Sequence, residues 1–152
     1  MDNWHNRFLE MAKHISTWSK DQTKVGSVIV EPETKNIVGL GYNGFPRGVK
    51  DLESRYNERE TKYKLVCHAE QNAIWNSNKS VRGCDIYVYP TMMHPASCPD
   101  CAKAIVQSGI KRLFYYKEGD IKEHWKEPAE FSNIILREGG VECIAIERNE
   151  ND

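Results

Sequence analysis

Near the start of the chain, apolar residues fall at Trp4, Phe8, Met11, Ala12, Ile15 and Trp18. This three-to-four-residue spacing predicts an amphipathic helix. The period then changes. Val25 to Val30 is apolar and largely β-branched, Glu31 to Asn36 is turn-like, and Ile37 to Gly41 is apolar again, which predicts a two-stranded hairpin. Residues 43–63 are charged, with Gly and Pro at their start, and predict a long loop with room for one helical turn. Helix and strand patterns alternate after that. The spacing predicts helix from His68 to Asn76, strand from Asp85 to Tyr89, and helix from Cys98 to Ser108 closed by Gly109. Strand follows from Arg112 to Tyr116, helix from Pro128 to Glu138 stopped by Gly139-Gly140, and strand from Val141 to Ile146. An α-β-α-β-α-β order implies parallel strands joined by crossover helices. The expected architecture is α/β: a three-layer α/β/α domain with a mixed five-stranded sheet, one domain over residues 1–152.

Composition agrees with one compact domain. The chain has 152 residues, 39% hydrophobic and 28% charged, ordinary for a globular protein and unlike a disordered one. Its apolar runs are short, as in Val28-Ile29-Val30, against the roughly 20 residues a membrane-spanning helix needs. The opening MDNWHNRFLE lacks the basic-then-apolar pattern of a secretory leader, so a cytoplasmic protein without a membrane partner is expected. Charge narrows the partners further. The 21 basic and 22 acidic residues are interspersed, for a net charge of -1, and no dense Lys/Arg block appears. A polynucleotide partner is disfavoured on that ground. Five cysteines is an odd count, and Cys98 and Cys101 have the C-x-x-C spacing that points to metal or redox chemistry in a reducing compartment.

The candidate chemistry lies in His68-Ala69-Glu70 and, 30 positions after His68, in Cys98-Pro99-Asp100-Cys101. One imidazole and two thiolates suit Zn²⁺, balance its charge, and leave open the fourth tetrahedral position that catalytic zinc sites keep. Both motifs stand at predicted helix starts, where free N–H groups and the helix dipole favour thiolates. Pro99 fits the first position of such a helix. A carboxylate two residues from a ligand, Glu70, is placed to exchange protons with water at the same site. A C-x-x-C pair alone is equally consistent with a redox site or a structural zinc. The redox reading leaves His68 and Glu70 without a role, and the structural one needs a fourth protein ligand. Cys67 is too close to His68 to chelate the same ion without strain, and Cys84 and Cys143 flank predicted strands as core thiols. The pairing of H-x-E with C-x-x-C is the known signature of zinc-dependent nucleobase deaminases.

Three runs carry a resemblance: VGSVIVEPETKNIVGLGYNGFPRGV, KYKLVCHAEQNAI and CPDCAKAIVQSGIKRLFYY. Together they resemble the deoxycytidylate (dCMP) deaminase family over residues 4–146, with GYNGFPRG as the part the wider superfamily does not share. The resemblance implies that His68, Cys98 and Cys101 bind zinc, that Glu70 shuttles protons, and that Asn43 binds the sugar. It implies hydrolysis of dCMP to dUMP and ammonia, with water attacking C4 of the cytosine ring and Glu70 protonating N3 before the amine leaves. Control by dCTP and dTTP with Mg²⁺, an effector loop at Gly41, Tyr42, Asn43 and Gly44, and a homo-oligomer, a hexamer, are implied in the same way. Thr23, Lys24 and Arg47 are candidates for the substrate phosphate, and Tyr115 and Tyr116 for packing on the base. The chain departs from the family pattern at Ser97, where proline usually precedes the first cysteine, and in the longer stretch MMHPAS, which offers His94 to the site. No second zinc site is evident. These departures keep open a deaminase of another base, nucleoside or modified nucleotide, and a nucleotide-binding module without catalysis; tRNA editing is disfavoured by the charge balance.

Overall fold

A computed structural model describes residues 3–91, 98–119 and 123–149. The elements are α1 (Asn3–Ser16), β1 (Gly26–Val30), β2 (Ile37–Tyr42), α2 (Glu53–Asn57), α3 (Arg59–Leu65), α4 (Ala69–Trp75), β3 (Asp85–Tyr89), α5 (Pro99–Ser108), β4 (Arg112–Tyr116), α6 (Lys126–Glu138) and β5 (Glu142–Ile146). One five-stranded sheet runs in the order β2-β1-β3-β4-β5. β1 is antiparallel to both β2 and β3, while β3, β4 and β5 are parallel. The expected mixed sheet and parallel second half are therefore present.

Strand alternation divides the core in two. Val28, Val30, Tyr87, Phe114 and Ile146 face α1, where they meet Phe8, Leu9, Ala12 and Ile15. Ile29, Ile86, Val88 and Leu113 face the other way, against Ala73 of α4, Ala102 and Ile105 of α5, and Leu136 of α6. β1 and β3 are buried almost throughout, which is why they read as unbroken apolar runs rather than as alternation. One close approach sets the layer spacing. A Cβ on Gly26 would stand 2.1 Å from Ala12 O and 2.7 Å from Ser16 N, so α1 rests directly on the β1 backbone.

The structure corrects the predicted loop over 43–63. Two short helices occupy part of it, and between them they bury only Tyr56, stacked on Phe45 at 4.0 Å. With a single buried position they leave no apolar period to read. Trp18 lies beyond the end of α1, and Trp4 and Trp18 are 40% and 50% exposed, so neither belongs to its buried stripe. Among the described residues no helix is long and apolar enough to cross a membrane.

Candidate metal centre and active site

The site forms where two helices begin. His68 occupies the cap position of α4, and its backbone N–H donates to the Gln71 side chain at 3.1 Å. Cys98 caps α5, followed by Pro99 at the first helical position and Cys101 one turn in. A capping residue has extended backbone, which lets its side chain project past the helix end. The helices pack on each other, and their starts bring His68 Nδ1 to 3.0 Å from Cys101 Sγ. The ligand atoms of His68, Cys98 and Cys101 all lie within 4.8 Å of one another, with Cys101 buried and the other two half-buried. Tetrahedral zinc with these donors needs edges of about 3.5–3.8 Å, so the cluster is at ligating scale. Among the described residues no fourth His, Cys, Asp or Glu joins it.

The electrostatics suit a metal. The Cys98 thiol is held down at about 4, first by a hydrogen bond from Cys101 and then by His68, against the opposing effect of burial. Cys101 is pushed up because it donates to Cys98 and is buried. His68 is raised by its contact with Cys98. The cluster thus holds protons among its own donors, and a bound cation displaces them, so metal uptake is coupled to proton release. Two sulfurs and an imidazole favour zinc over the hard oxygen-seeking cations. The donor set fits the ion.

Glu70 is 7% exposed, in the first turn of α4. Burial pushes its carboxyl above the usual carboxylate range, partly offset by the His68 charge, and it makes a hydrogen bond with Cys101. A carboxyl whose hold on its proton is strengthened in this way is suited to take and return one.

The other sequence candidates fall into two groups. Asn43 is buried beside the turn that precedes β1, its Oδ1 accepting from Val25 N–H at 2.9 Å and its Nδ2 donating to Thr23 O at 2.7 Å. Gly44 pairs in both directions with Cys67, Cys67 N–H to Gly44 O at 2.7 Å and Gly44 N–H to Cys67 O at 3.1 Å, which ties this loop to His68. Thr23 therefore contributes backbone, and its side chain is at the surface. The Lys24 amine donates to Ser19 O, and the Arg47 guanidinium to Asn76 Oδ1 at 2.7 Å. Tyr42 is exposed, edge-on to Trp18. Gly41 lies under α4: a Cβ there would be 2.4 Å from Ala73 N and 2.6 Å from Ala69 O. Tyr115 is half-buried against the core on the α4–α6 side. Tyr116 faces α1 instead, its hydroxyl donating to Glu10 at 2.6 Å. His94 and Ser97 lie outside the described residues.

Sequence reasoning missed Ser27, a buried β1 hydroxyl that donates to Ala69 O at 2.8 Å and pins the first turn of α4. It also missed the pairing of buried Asp21 with half-buried Lys62 at 3.2 Å. A serine within an apolar strand was the available signal for Ser27; the polar stretch around Asp21 carried none.

A His/Cys/Cys cluster with a buried carboxyl beside it, at converging helix starts of an α/β/α sheet, has the makings of a metal-dependent hydrolytic site. The family model described as the cytidine and deoxycytidylate deaminase zinc-binding region matches residues 2–117, and the chain belongs to that family. It is 38% identical to an uncharacterized deaminase in the luxG 3′ region of Aliivibrio fischeri, over 93% of this chain and 92% of that protein. It is 39% identical to the Homo sapiens deoxycytidylate deaminase, over 91% of this chain and 76% of that one. Among solved structures, the cyanophage S-TIM5 dCMP deaminase in complex with dCMP and dUMP superposes with a TM-score of 0.72 at 26% identity, covering 96% of this chain and 98% of that one.

Proposed function

We propose that the protein hydrolyses dCMP to dUMP and ammonia. The observation that carries this reading is the His68, Cys98 and Cys101 cluster with Glu70 buried beside it, in a chain of the deaminase family. The relatives named for deoxycytidylate deamination, and the structural neighbour holding dCMP and dUMP, support the substrate class.

His68, Cys98 and Cys101 would hold Zn²⁺, which lowers the pKa of water and makes it nucleophilic near neutral pH. The chain's own groups carry the proton traffic. Glu70 accepts a proton as water adds at C4, delivers it to N3, and assists departure of the amine as ammonia. Its burial keeps bulk water from competing for that proton and raises its affinity for it. Cys98 and Cys101 stand at the cap and in the first turn of α5, where the positive end of the helix favours thiolates.

The finer assignments follow from the same reading. Asn43 binds the sugar, Thr23 and Lys24 lie toward the phosphate, and Tyr115 borders the base. A nucleoside triphosphate, dCTP or dTTP with Mg²⁺, acts at the Gly41–Gly44 loop of a homo-oligomer, with Tyr42 and Gly44 as its accessible members, in a cytoplasmic setting. The decisive experiment measures ammonia release from dCMP, deoxycytidine, CMP and guanine by the zinc-loaded protein, with and without dCTP or dTTP plus Mg²⁺. Preferential turnover of dCMP is expected. Preference for an unphosphorylated compound overturns the substrate assignment, and an unchanged rate with either triphosphate overturns the effector assignment.

A further inference from the structure

An ion pair between a buried carboxylate and a half-buried amine stands apart from the donor cluster. Asp21, 4% exposed, lies in the turn between α1 and β1. Its Oδ1 accepts from Lys62 Nζ at 3.2 Å and from Thr23 N–H at 3.1 Å, and the Lys62 side chain is itself only 16% exposed. A charge removed from water needs a compensating partner, so this pair fixes its two segments relative to each other. One segment is α3, which runs into Cys67 and His68. The other is the turn whose backbone clamps Asn43.

The clamp determines where Asn43 points. Val25 N–H supplies Oδ1 and Thr23 O receives one Nδ2 hydrogen, so flipping the amide would set donor against donor and acceptor against acceptor. One Nδ2 hydrogen and one Oδ1 lone pair remain for a ligand. Ser19 closes the ring: its hydroxyl donates to Asn43 O at 2.8 Å and accepts from Asp21 N–H at 3.2 Å. Among the described residues Asp21 is the only carboxylate bonded within this ring, and its acceptor oxygen is what holds Thr23 in line.

We propose that Asp21 is a positioning residue for the nucleotide: it aims the Asn43 amide through Thr23 and anchors α3 to the same turn through Lys62. The inference rests on the assignment of Asn43 to the sugar. His68, Glu70, Cys98 and Cys101 are carried by α4 and α5 and make no hydrogen bond to Asp21. Loss of Asp21 therefore acts on binding more than on the chemical step.

The test compares zinc-loaded wild type, Asp21→Ala, Asp21→Asn, Asn43→Ala and the Asp21→Ala/Asn43→Ala double variant, by dCMP kinetics and by amide hydrogen exchange. Asp21→Ala should raise KM about tenfold, as for one misdirected hydrogen bond, while kcat changes less than about threefold. Asp21→Asn, whose amide oxygen still accepts from Thr23, should recover part of that loss. The double variant should be no worse than Asn43→Ala, because the two residues act through one contact. Exchange at the amides of Thr23, Val25 and Asn43 should quicken in Asp21→Ala and Asp21→Asn, least in the latter, and stay unchanged in α5. A fall in kcat or stability with KM unmoved, or fully additive KM effects, overturns the proposal. Absence of dCMP turnover by wild type refutes the function instead; in that case wild-type exchange at these three amides in both Asp21 variants overturns the positioning role on its own.

Discussion

Substituting Gly41 by alanine adds one carbon in the most crowded place between sheet and helix. That carbon would stand 2.4 Å from Ala73 N, 2.6 Å from Ala69 O and 2.8 Å from Asn72 C, all backbone atoms of α4. No side chain can turn aside to make room. An ordinary contact begins near 3.4 Å, so α4 must retreat from β2 by about 1 Å. The retreat pulls on the Ser27 to Ala69 hydrogen bond and loosens the seat of Ala73 in the core. Overpacking of this kind costs typically about 1–3 kcal/mol, and three backbone clashes put Gly41→Ala at the upper end. For a chain of this length that is a fall of roughly 6–12 °C in Tm. The same displacement carries Glu70 and His68 with it. A misplacement of about 1 Å is worth roughly a hundredfold in rate, so turnover at saturating dCMP should fall by about that factor, with zinc affinity reduced. Thermal unfolding, metal content and ammonia release read the three effects. Gly44→Ala supplies the contrast, because its Cβ would meet nothing nearer than 3.8 Å; its stability should stay within about 0.5 kcal/mol of wild type. A Gly41→Ala protein that melts and turns over like wild type would show that α4 does not rest on β2 at this point, and the packing argument would fail.

Further expectations concern the donors, the proton carrier and the far end of the sheet. Glu70→Gln should retain zinc and lose about 10²–10⁴ in kcat; turnover near wild type removes Glu70 from the proton path. Chelation should abolish turnover, and Zn²⁺ but not Mg²⁺ should restore it, whereas Cys98→Ala should bind the ion too weakly for such rescue. Activity that survives exhaustive dialysis against chelator, with no metal found by elemental analysis, contradicts the assignment of the cluster. At the opposite end of the parallel strands, Arg112 grips the buried Asp85 carboxylate through two bonds of 2.8 and 2.6 Å. Arg112→Met should cost about 1.5–3 kcal/mol in urea unfolding and leave the kcat of the folded protein unchanged, and a stability equal to wild type refutes the role given to that pair.

How legible each part was in the sequence depended on how local its cause was. The ligands were legible because each motif encodes its own placement: a capping residue, proline at the first helical position in α5, and the second cysteine one turn along. β1, β3 and β4 were legible because burial on both faces leaves almost no polar residue in them. α2 and α3 were not, since one buried tyrosine makes no period. The Thr23 and Lys24 side chains were ambiguous for another reason. The sequence alone does not separate a phosphate contact from a solvated side chain at these positions; the structure bonds Thr23 to Asn43 through its backbone and the Lys24 amine to Ser19 O. The partnership of Asp21 with Lys62 joins residues 41 positions apart, beyond any local pattern.

Glycine shows most clearly what sequence leaves undetermined. The glycines of GYNG mark positions without a Cβ, and a missing Cβ admits a phosphate or a helix equally well. At Gly41 the occupant is α4 itself. At Gly44 the space is open, with nothing nearer than 3.8 Å to an added Cβ, and the residue instead pairs through its backbone with Cys67 in both directions. GYNG and HAE are therefore two halves of one device: the first glycine lets α4 settle on β2, and the second fastens the residue that precedes His68. The motif thus ties β2 to α4 and to the residue that precedes His68.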